Sequence, residues 1–293
     1  MSRILIFGSA GLLGLALTEK FTKSGHEVFA INRSMSHHPG AKSFQGDILD
    51  SGSYLDTLNT LSPDVVISTA WLTSLDFWES ESNYEYMRAT INLAEHSFAG
   101  GVQHFIGIGS AAEFGIHPTD CDSDSSSMVP LTAYGKAKFE TGRTISEIAT
   151  RYGKDFSWLR VFQAYGKGER SHRLIPQVIE KLSRGDSFTL LSASKVLDWI
   201  HSDDVANAAE FALELNDGTH FMDVGTGEGT DVITIVRSLA KILDVPEGLI
   251  DTPTDGSIPD TTRLVSTPHS HLRKVGWAPK ITLDQGLTEL TRK

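Results

Sequence analysis

Short apolar runs, each followed by a longer stretch of helical period, set the pattern over the first half of the chain. Arg3–Phe7, Glu27–Ile31, Phe44–Ile48, Pro63–Ser68, His104–Ile108 and Phe156–Val161 read as strands. A run such as Val65-Val66-Ile67 has no polar side to give to water, so it belongs to a buried parallel strand. Helical stretches are expected at 79–99 and 131–152, the first with Tyr84, Tyr86 and Phe98 as packing or subunit-face residues. Beyond Val161 the alternation loosens. Residues 172–185 read as helix, 188–191 as extended, and 203–215 as a helix whose start is the cap-like Ser202-Asp203-Asp204. A strand at 221–224 runs into GTGEG, read as a substrate-side turn, and 231–243 is again helical.

The first strand ends in GSAGLLG, with glycines at 8, 11 and 14 before a helical run. Strand, glycine turn and helix in that order make a phosphate cradle: Gly8 for the tight turn, Gly11 for close approach of a pyrophosphate, Gly14 for helix–strand packing. Ser9, Ala10, Leu12 and Leu13 complete it. The second strand ends at Asn32-Arg33-Ser34, where NAD-preferring sites place a carboxylate for the ribose 2′-hydroxyl. Arg33 suits a 2′-phosphate, so NADP is favoured, with NAD open. Asp47 and Ile48 after the third strand suit the adenine, and Thr69, Ala70 and Trp71 close the fourth strand at the edge where ligands of such sheets lie. The expected architecture is α/β: a Rossmann-type doubly wound parallel sheet with a smaller C-terminal α+β substrate-binding region. The division expected is 1–164 plus 196–222 for the dinucleotide, and 165–195 plus 223–293 for the substrate.

Composition narrows the partners. The 293 residues are 40% hydrophobic with a net charge of −11, which argues against a general nucleic-acid binder. Cys121 stands alone in the polar TDCDSDSSS, an incidental thiol with no metal-ligand spacing, and no metal is expected. No apolar stretch reaches membrane-spanning length and RILIFG is too short for a signal peptide, so the expected location is cytoplasmic.

Candidate chemistry gathers at two places. Tyr134 and Lys138 are four residues apart on one helix face, where a fixed ammonium favours the phenolate and brings a phenol toward working pH. Ser110 ends the fifth strand, at the sheet edge that also carries the glycine turn.

These segments together resemble the extended short-chain dehydrogenases/reductases, in the branch of nucleotide-sugar 4-epimerases, 4-ketoreductases and 4,6-dehydratases. The resemblance runs through GSAGLLG, GDI at 46–48, SAAEFG at 110–115, YGKAK at 134–138, LRVFQAYG at 159–166, RLIP at 173–176, LDWIHSDDVANA at 197–208, DVGTG at 223–227 and GWAP at 276–279. It implies Ser110, Tyr134 and Lys138 as the catalytic set. Tyr134 would exchange the proton, Ser110 would bond the same oxygen, and Lys138 would hold the nicotinamide ribose and lower the phenol's pKa. It also implies Val161 beside the cofactor and a homodimer through the helices near 79–99 and 134–152.

The departures bear on the reaction. Ala111 and Ala112 stand where dehydratases of this branch carry an Asp-Glu pair, and Glu113 falls one place late. Gln163 replaces an Asn and Leu197 an Arg that touches pyrophosphate, which leaves Arg173, Lys195 or Arg263 for a phosphate, with Trp71, Ala111, Ala112 and Glu113 as further substrate contacts. The leading expectation is NADP-dependent reduction of a nucleotide-linked 4-keto-6-deoxysugar. A 4-epimerase with tightly held NAD, and a non-catalytic NADP-binding regulator, are the alternatives. Substrate choice is expected in 71–88, 115–130, 165–195 and 251–268.

Overall fold

The structure, a computed structural model, describes residues 1–292 except 118, 123, 253–261 and 269, so much of the 251–268 segment lies outside the described residues. Strands β1 (Arg3–Phe7), β2 (Glu27–Asn32), β3 (Lys42–Gln45), β4 (Val65–Ser68), β5 (His104–Ser110) and β6 (Asp155–Val161) alternate with α1 (Leu12–Lys23), α2 (Leu55–Leu61), α3 (Ser82–Ala99) and α4 (Ala133–Tyr152). There follow β7 (Gln163–Tyr165), α5 (Leu174–Ser183), β8 (Phe188–Thr189), β9 (Val196–His201), α6 (Ser202–Ala212), β10 (Thr219–Val224), β11 (Gly229–Asp231) and α7 (Val232–Ile242). Short strands β12 (Ile250–Asp251) and β13 (Arg263–Leu264) and helices α8 (His271–Lys274) and α9 (Leu283–Thr291) close the described chain.

Seven strands form one sheet in the order β10-β6-β5-β4-β1-β2-β3, parallel throughout. Its central strands are apolar on both faces because both are covered. Ile4 and Ile6 point into a core with Leu17, Phe21 and α6, while Leu5 and Phe7 point into the opposite core with Leu93, Phe98 and Phe105. Phe98 is therefore a core residue, as expected. The helix expected from 79 starts at Ser82, because Phe77–Glu79 form a separate 3-10 turn.

Trp158 on β6 shows why β5 is interrupted by glycine. A β-carbon at Gly107 or Gly109 would lie 2.4 Å from its indole, and one at Gly142 of α4 would lie 2.9 Å away. The three glycines open the slot that the buried indole fills.

The smaller sheet holds β11, β9 and β13 in order, with β7 also paired to β9. The stretch Val196–His201, grouped by sequence with the dinucleotide-binding part, is thus its central strand. Helix α6 begins one residue before the expected start, and the cap is the His201 ring, whose Nδ1 accepts from the Asp203 amide at 3.3 Å. Asp204 turns inward instead and accepts from the amides of Lys280 and Ile281, both at 2.9 Å. The acidic loop around Cys121 is pinned at that residue: its amide bonds Val265, its carbonyl accepts from Thr267, and the thiol is fully buried.

Asp198, on β9 and fully buried, organises the GTGEG turn. Its two oxygens accept five hydrogen bonds: from the Thr226 amide (2.7 Å) and hydroxyl (2.6 Å), the Gly227 amide (2.9 Å), and the Ser266 amide (3.1 Å) and hydroxyl (2.7 Å). The turn expected to face substrate is a structural clasp between the small sheet and the chain that follows β13. Removing the acceptor strands buried donors, so Asp198→Ala is expected to cost about 3 kcal/mol or more in a denaturant titration. A loss below about 1 kcal/mol would show the clasp to be dispensable.

Candidate functional site

The C-terminal ends of β1, β2, β4, β5 and β6 open on one cleft of about 520 Å³, where the chain between β7 and α5 forms the opposite wall. At its β1 end, Gly8 takes φ +80° and its amide bonds Ile31 at 2.9 Å. A β-carbon on Gly14 would meet the Gly8 carbonyl oxygen at 2.2 Å, so only glycine lets α1 pass this close to the turn. Gly11 caps α1 without any side-chain cap, leaving the helix's first amides to an anion. Gly8, Ala10, Gly11, Leu12 and Leu13 line the cleft, whereas Ser9 and Gly14 lie behind it.

Ser9 is turned inward for a reason. Its hydroxyl lies 2.5 Å from Asn32 Nδ2 and 3.1 Å from Nε2 of the buried His38. Asn32 Oδ1 accepts from the Ala10 amide at 2.8 Å, and its Nδ2 also donates to the Ser36 hydroxyl at 2.6 Å. Asn32 braces the glycine turn from below while Arg33, Ser34 and Ser36 form the rim. Asp47, Ile48, Thr69, Ala70, Trp71 and Val161 also reach the cleft, Thr69 through a hydroxyl that donates to the carbonyls of Phe7 and Gly8 at 3.0 Å. The cradle fits a dinucleotide: open amides at the helix start, a turn no side chain could occupy, and a polar rim at the end of β2.

Ser110, Tyr134 and Lys138 meet on the same cleft. The close approach of α4 to the turn that follows β5 depends on Gly135, where a β-carbon would lie 2.5 Å from the Ala112 carbonyl oxygen. The Ser110 hydroxyl accepts from the Ala112 amide at 3.2 Å and also faces the Tyr134 phenol, where it favours the phenolate. Lys138 Nζ donates to the Ile108 carbonyl at 2.8 Å and sits 3.7 Å over the Trp71 ring, but 5.9 Å from the centroid of the Tyr134 ring.

That geometry corrects the expected electrostatics. Burial pushes the Tyr134 phenol up, with Glu113 adding to the rise. Burial likewise brings the Lys138 ammonium down to about 7, so the lysine is itself only marginally charged near neutrality. The helix face brings the pair to one cleft, but the surrounding protein disfavours both charges. The phenol is held toward its protonated form.

The chain from residue 4 to residue 225 matches the model of the NAD dependent epimerase/dehydratase family. The chain belongs to that family. It is 24% identical to a UDP-glucose 4-epimerase of Lactobacillus helveticus, over 95% of this chain and 92% of that protein. Its fold matches UDP-glucose 4-epimerases of Thermotoga maritima, solved with UDP-glucose (TM-score 0.86, 23% identity, 98% of this chain and 96% of that one), and of Thermus thermophilus, solved with NAD (0.85, 22%, 98% and 96%). Family membership makes the protein an NAD(P)-linked enzyme.

On the substrate side of this epimerase/dehydratase fold, Trp71, Gln163 and Arg173 line the cleft, but Ala111, Ala112, Glu113, Lys195 and Arg263 do not. Glu113 is fully buried and holds the Ser110 amide (2.8 Å), the Trp158 indole (3.0 Å) and Arg160 Nε (2.7 Å). It positions Ser110 from behind and does not itself line the cleft. Arg263 is paired with Asp120 at 2.6 Å, and Lys195 enters β9 on the smaller sheet.

Several cleft residues fall inside the segments 71–88 and 165–195 but are not singled out by sequence. Phe77 and Trp78 stand edge-on to the Tyr134 ring, with centroids 4.9 and 5.5 Å away. Asn83, fully buried, fixes this wall by accepting from the Trp71 indole (2.9 Å) and donating to the carbonyls of Phe77 (2.6 Å) and Ser80 (2.9 Å). Tyr86, assigned to packing, also reaches the cleft, as do Glu169, Arg170 and His172. The adjacent aromatics in the otherwise polar SLDFWESES were the available signal for the wall; nothing in the sequence marks Asn83.

Two outcomes follow from the site's electrostatics. Glu113→Ala leaves the buried Arg160 short of a partner and is expected to cost about 3–5 kcal/mol of stability, read by chemical denaturation, rather than to change substrate affinity alone. Lys138 sheds its proton near pH 7 when folded but keeps it to about 10.5 when unfolded, so this residue makes stability rise with pH across that window. The stability of Lys138→Met relative to wild type is therefore expected to be greatest near pH 6 and to shrink toward pH 10. A difference that stays flat with pH would show that Lys138 remains charged throughout.

Proposed function

We propose that the protein interconverts alcohol and ketone at C4 of a nucleotide-linked sugar, acting as a 4-epimerase. The observation that carries this reading is the convergence of Ser110, Tyr134 and Lys138 on the cleft that also holds the glycine cradle. Its similarity to UDP-glucose 4-epimerases and the alanines at 111 and 112, which offer no acid–base pair for removing water, support it. NAD(P), when bound, accepts and returns hydride. Tyr134 takes the proton from the C4 hydroxyl as that carbon is oxidised and gives it back to the carbonyl oxygen on reduction. Ser110 donates to the same oxygen as negative charge grows there, and Lys138 would hold the cofactor's ribose.

A second reading has its own observations. The phenol pushed toward its protonated form, and Arg33 on a rim where β2 ends in Asn32, both favour a one-way reduction of a nucleotide-linked 4-ketosugar by NADPH.

Nucleotide released from the purified protein by denaturation, together with turnover assays, separates the two. Bound NAD and interconversion of UDP-glucose with UDP-galactose without net NADPH consumption is the expected result. Net NADPH oxidation by a nucleotide 4-keto-6-deoxysugar selects the reductase, and neither activity overturns both. In either case Tyr134→Phe is expected to lower kcat about 10²–10⁴-fold with the fold intact.

A further inference from the structure

Glu169 is an anomaly in the cleft wall. Its side chain is only 5% exposed, yet it lies on the lining between β7 and α5 together with Arg170, His172 and Arg173. Oε1 makes a long 3.6 Å contact with Arg173 Nε, and Oε2 has no hydrogen-bond partner among the described residues. Burial pushes this carboxyl up to about 7, against the pull of Arg173. An enclosed oxygen without a partner is costly, and such groups are rare unless something else completes them. Glu169 itself is among the residues that line the cleft, beside Arg173.

The chemistry of the pair limits what can complete it. A phosphate offers only acceptors to a carboxylate and would be drawn to Arg173. A hydroxyl can donate to the free Oε2, and can accept from it when the carboxyl is protonated. We propose that Glu169 is a ligand-binding residue of this enzyme, its free oxygen taking a hydrogen bond from a hydroxyl of a phosphate-linked sugar whose phosphate Arg173 holds. The inference rests on the proposed use of nucleotide ligands. Such a hydroxyl could belong to the transferred sugar, the ribose of its nucleotide, or a ribose of the dinucleotide.

Calorimetric titration of wild type, Glu169→Ala and Glu169→Gln with UDP-glucose, UDP and NAD distinguishes these sources. Glu169→Ala is expected to weaken at least one of the three ligands by about tenfold or more. Loss with UDP-glucose alone assigns the hexose hydroxyl, loss with UDP as well assigns the nucleotide ribose, and loss with NAD alone assigns the dinucleotide. Glu169→Gln, which keeps an acceptor, is expected to restore most of the affinity.

The thermal midpoint without ligand separates this role from a structural one. Removing an unsatisfied buried carboxyl is expected to leave the midpoint unchanged or raised, whereas a residue that only held the loop would lower it. Unchanged affinity for all three ligands, or an affinity loss matched by a lowered midpoint in both variants, overturns the proposal. Failure of wild type to bind UDP-glucose or UDP while NAD still binds overturns the nucleotide-sugar reading instead, and the NAD titration then decides for Glu169.

Discussion

The geometry around Ser110 depends on one buried carboxylate. Glu113 gathers the Ser110 amide, the Trp158 indole and the Arg160 guanidinium around two oxygens, and Arg160 reaches on to Asp223 at 3.6 Å. A charge so deep in the protein is tolerable only with several donors around it. Those donors come from β5 and β6, and Asp223 from β10, so the arrangement ties three neighbouring strands to the position of one serine. The glycines at 107, 109 and 142 belong to the same arrangement, since without them the indole could not enter.

The opposite end of the cleft is organised by a neutral network. Asn32, Ser9, Ser36 and His38 hold one another and the Ala10 amide, so the glycine turn is fixed from below without a carboxylate. A polar residue at the end of β2 thus acts on the shape of the glycine turn, and the exposed Arg33 and Ser34 are left on the rim of the cleft. Between the two ends, the aromatic wall hung from Asn83 and the Trp71 face over Lys138 surround the pair. That burial shifts Tyr134 and Lys138 in opposite directions, each toward its uncharged form.

Much of this was legible in the chain. Apolar runs spaced by helical stretches gave the parallel sheet, and a strand followed by GSAGLLG gave the cradle, because both are local consequences of backbone freedom and side-chain period. The meeting of Ser110, Tyr134 and Lys138 on one cleft agrees with the sequence, where Tyr134 and Lys138 share a helix face and Ser110 ends a strand. Stretch 196–222 groups by sequence with the dinucleotide part, whereas Val196–His201 pairs in the smaller sheet, since apolar patterning tells that a strand is buried but not which strands it pairs with.

Residue identity and spacing by themselves determined the family, the sheet and the positions of Ser110, Tyr134 and Lys138. Only the tertiary structure decided which charges are partnered. Glu113 became a hidden brace, Asp198 a clasp, Arg263 the partner of Asp120, and Glu169 an enclosed carboxyl on the cleft, because each role is set by groups distant in the chain. The same holds for the ionisation of Tyr134 and Lys138, where desolvation by surrounding elements outweighs their proximity on one helix.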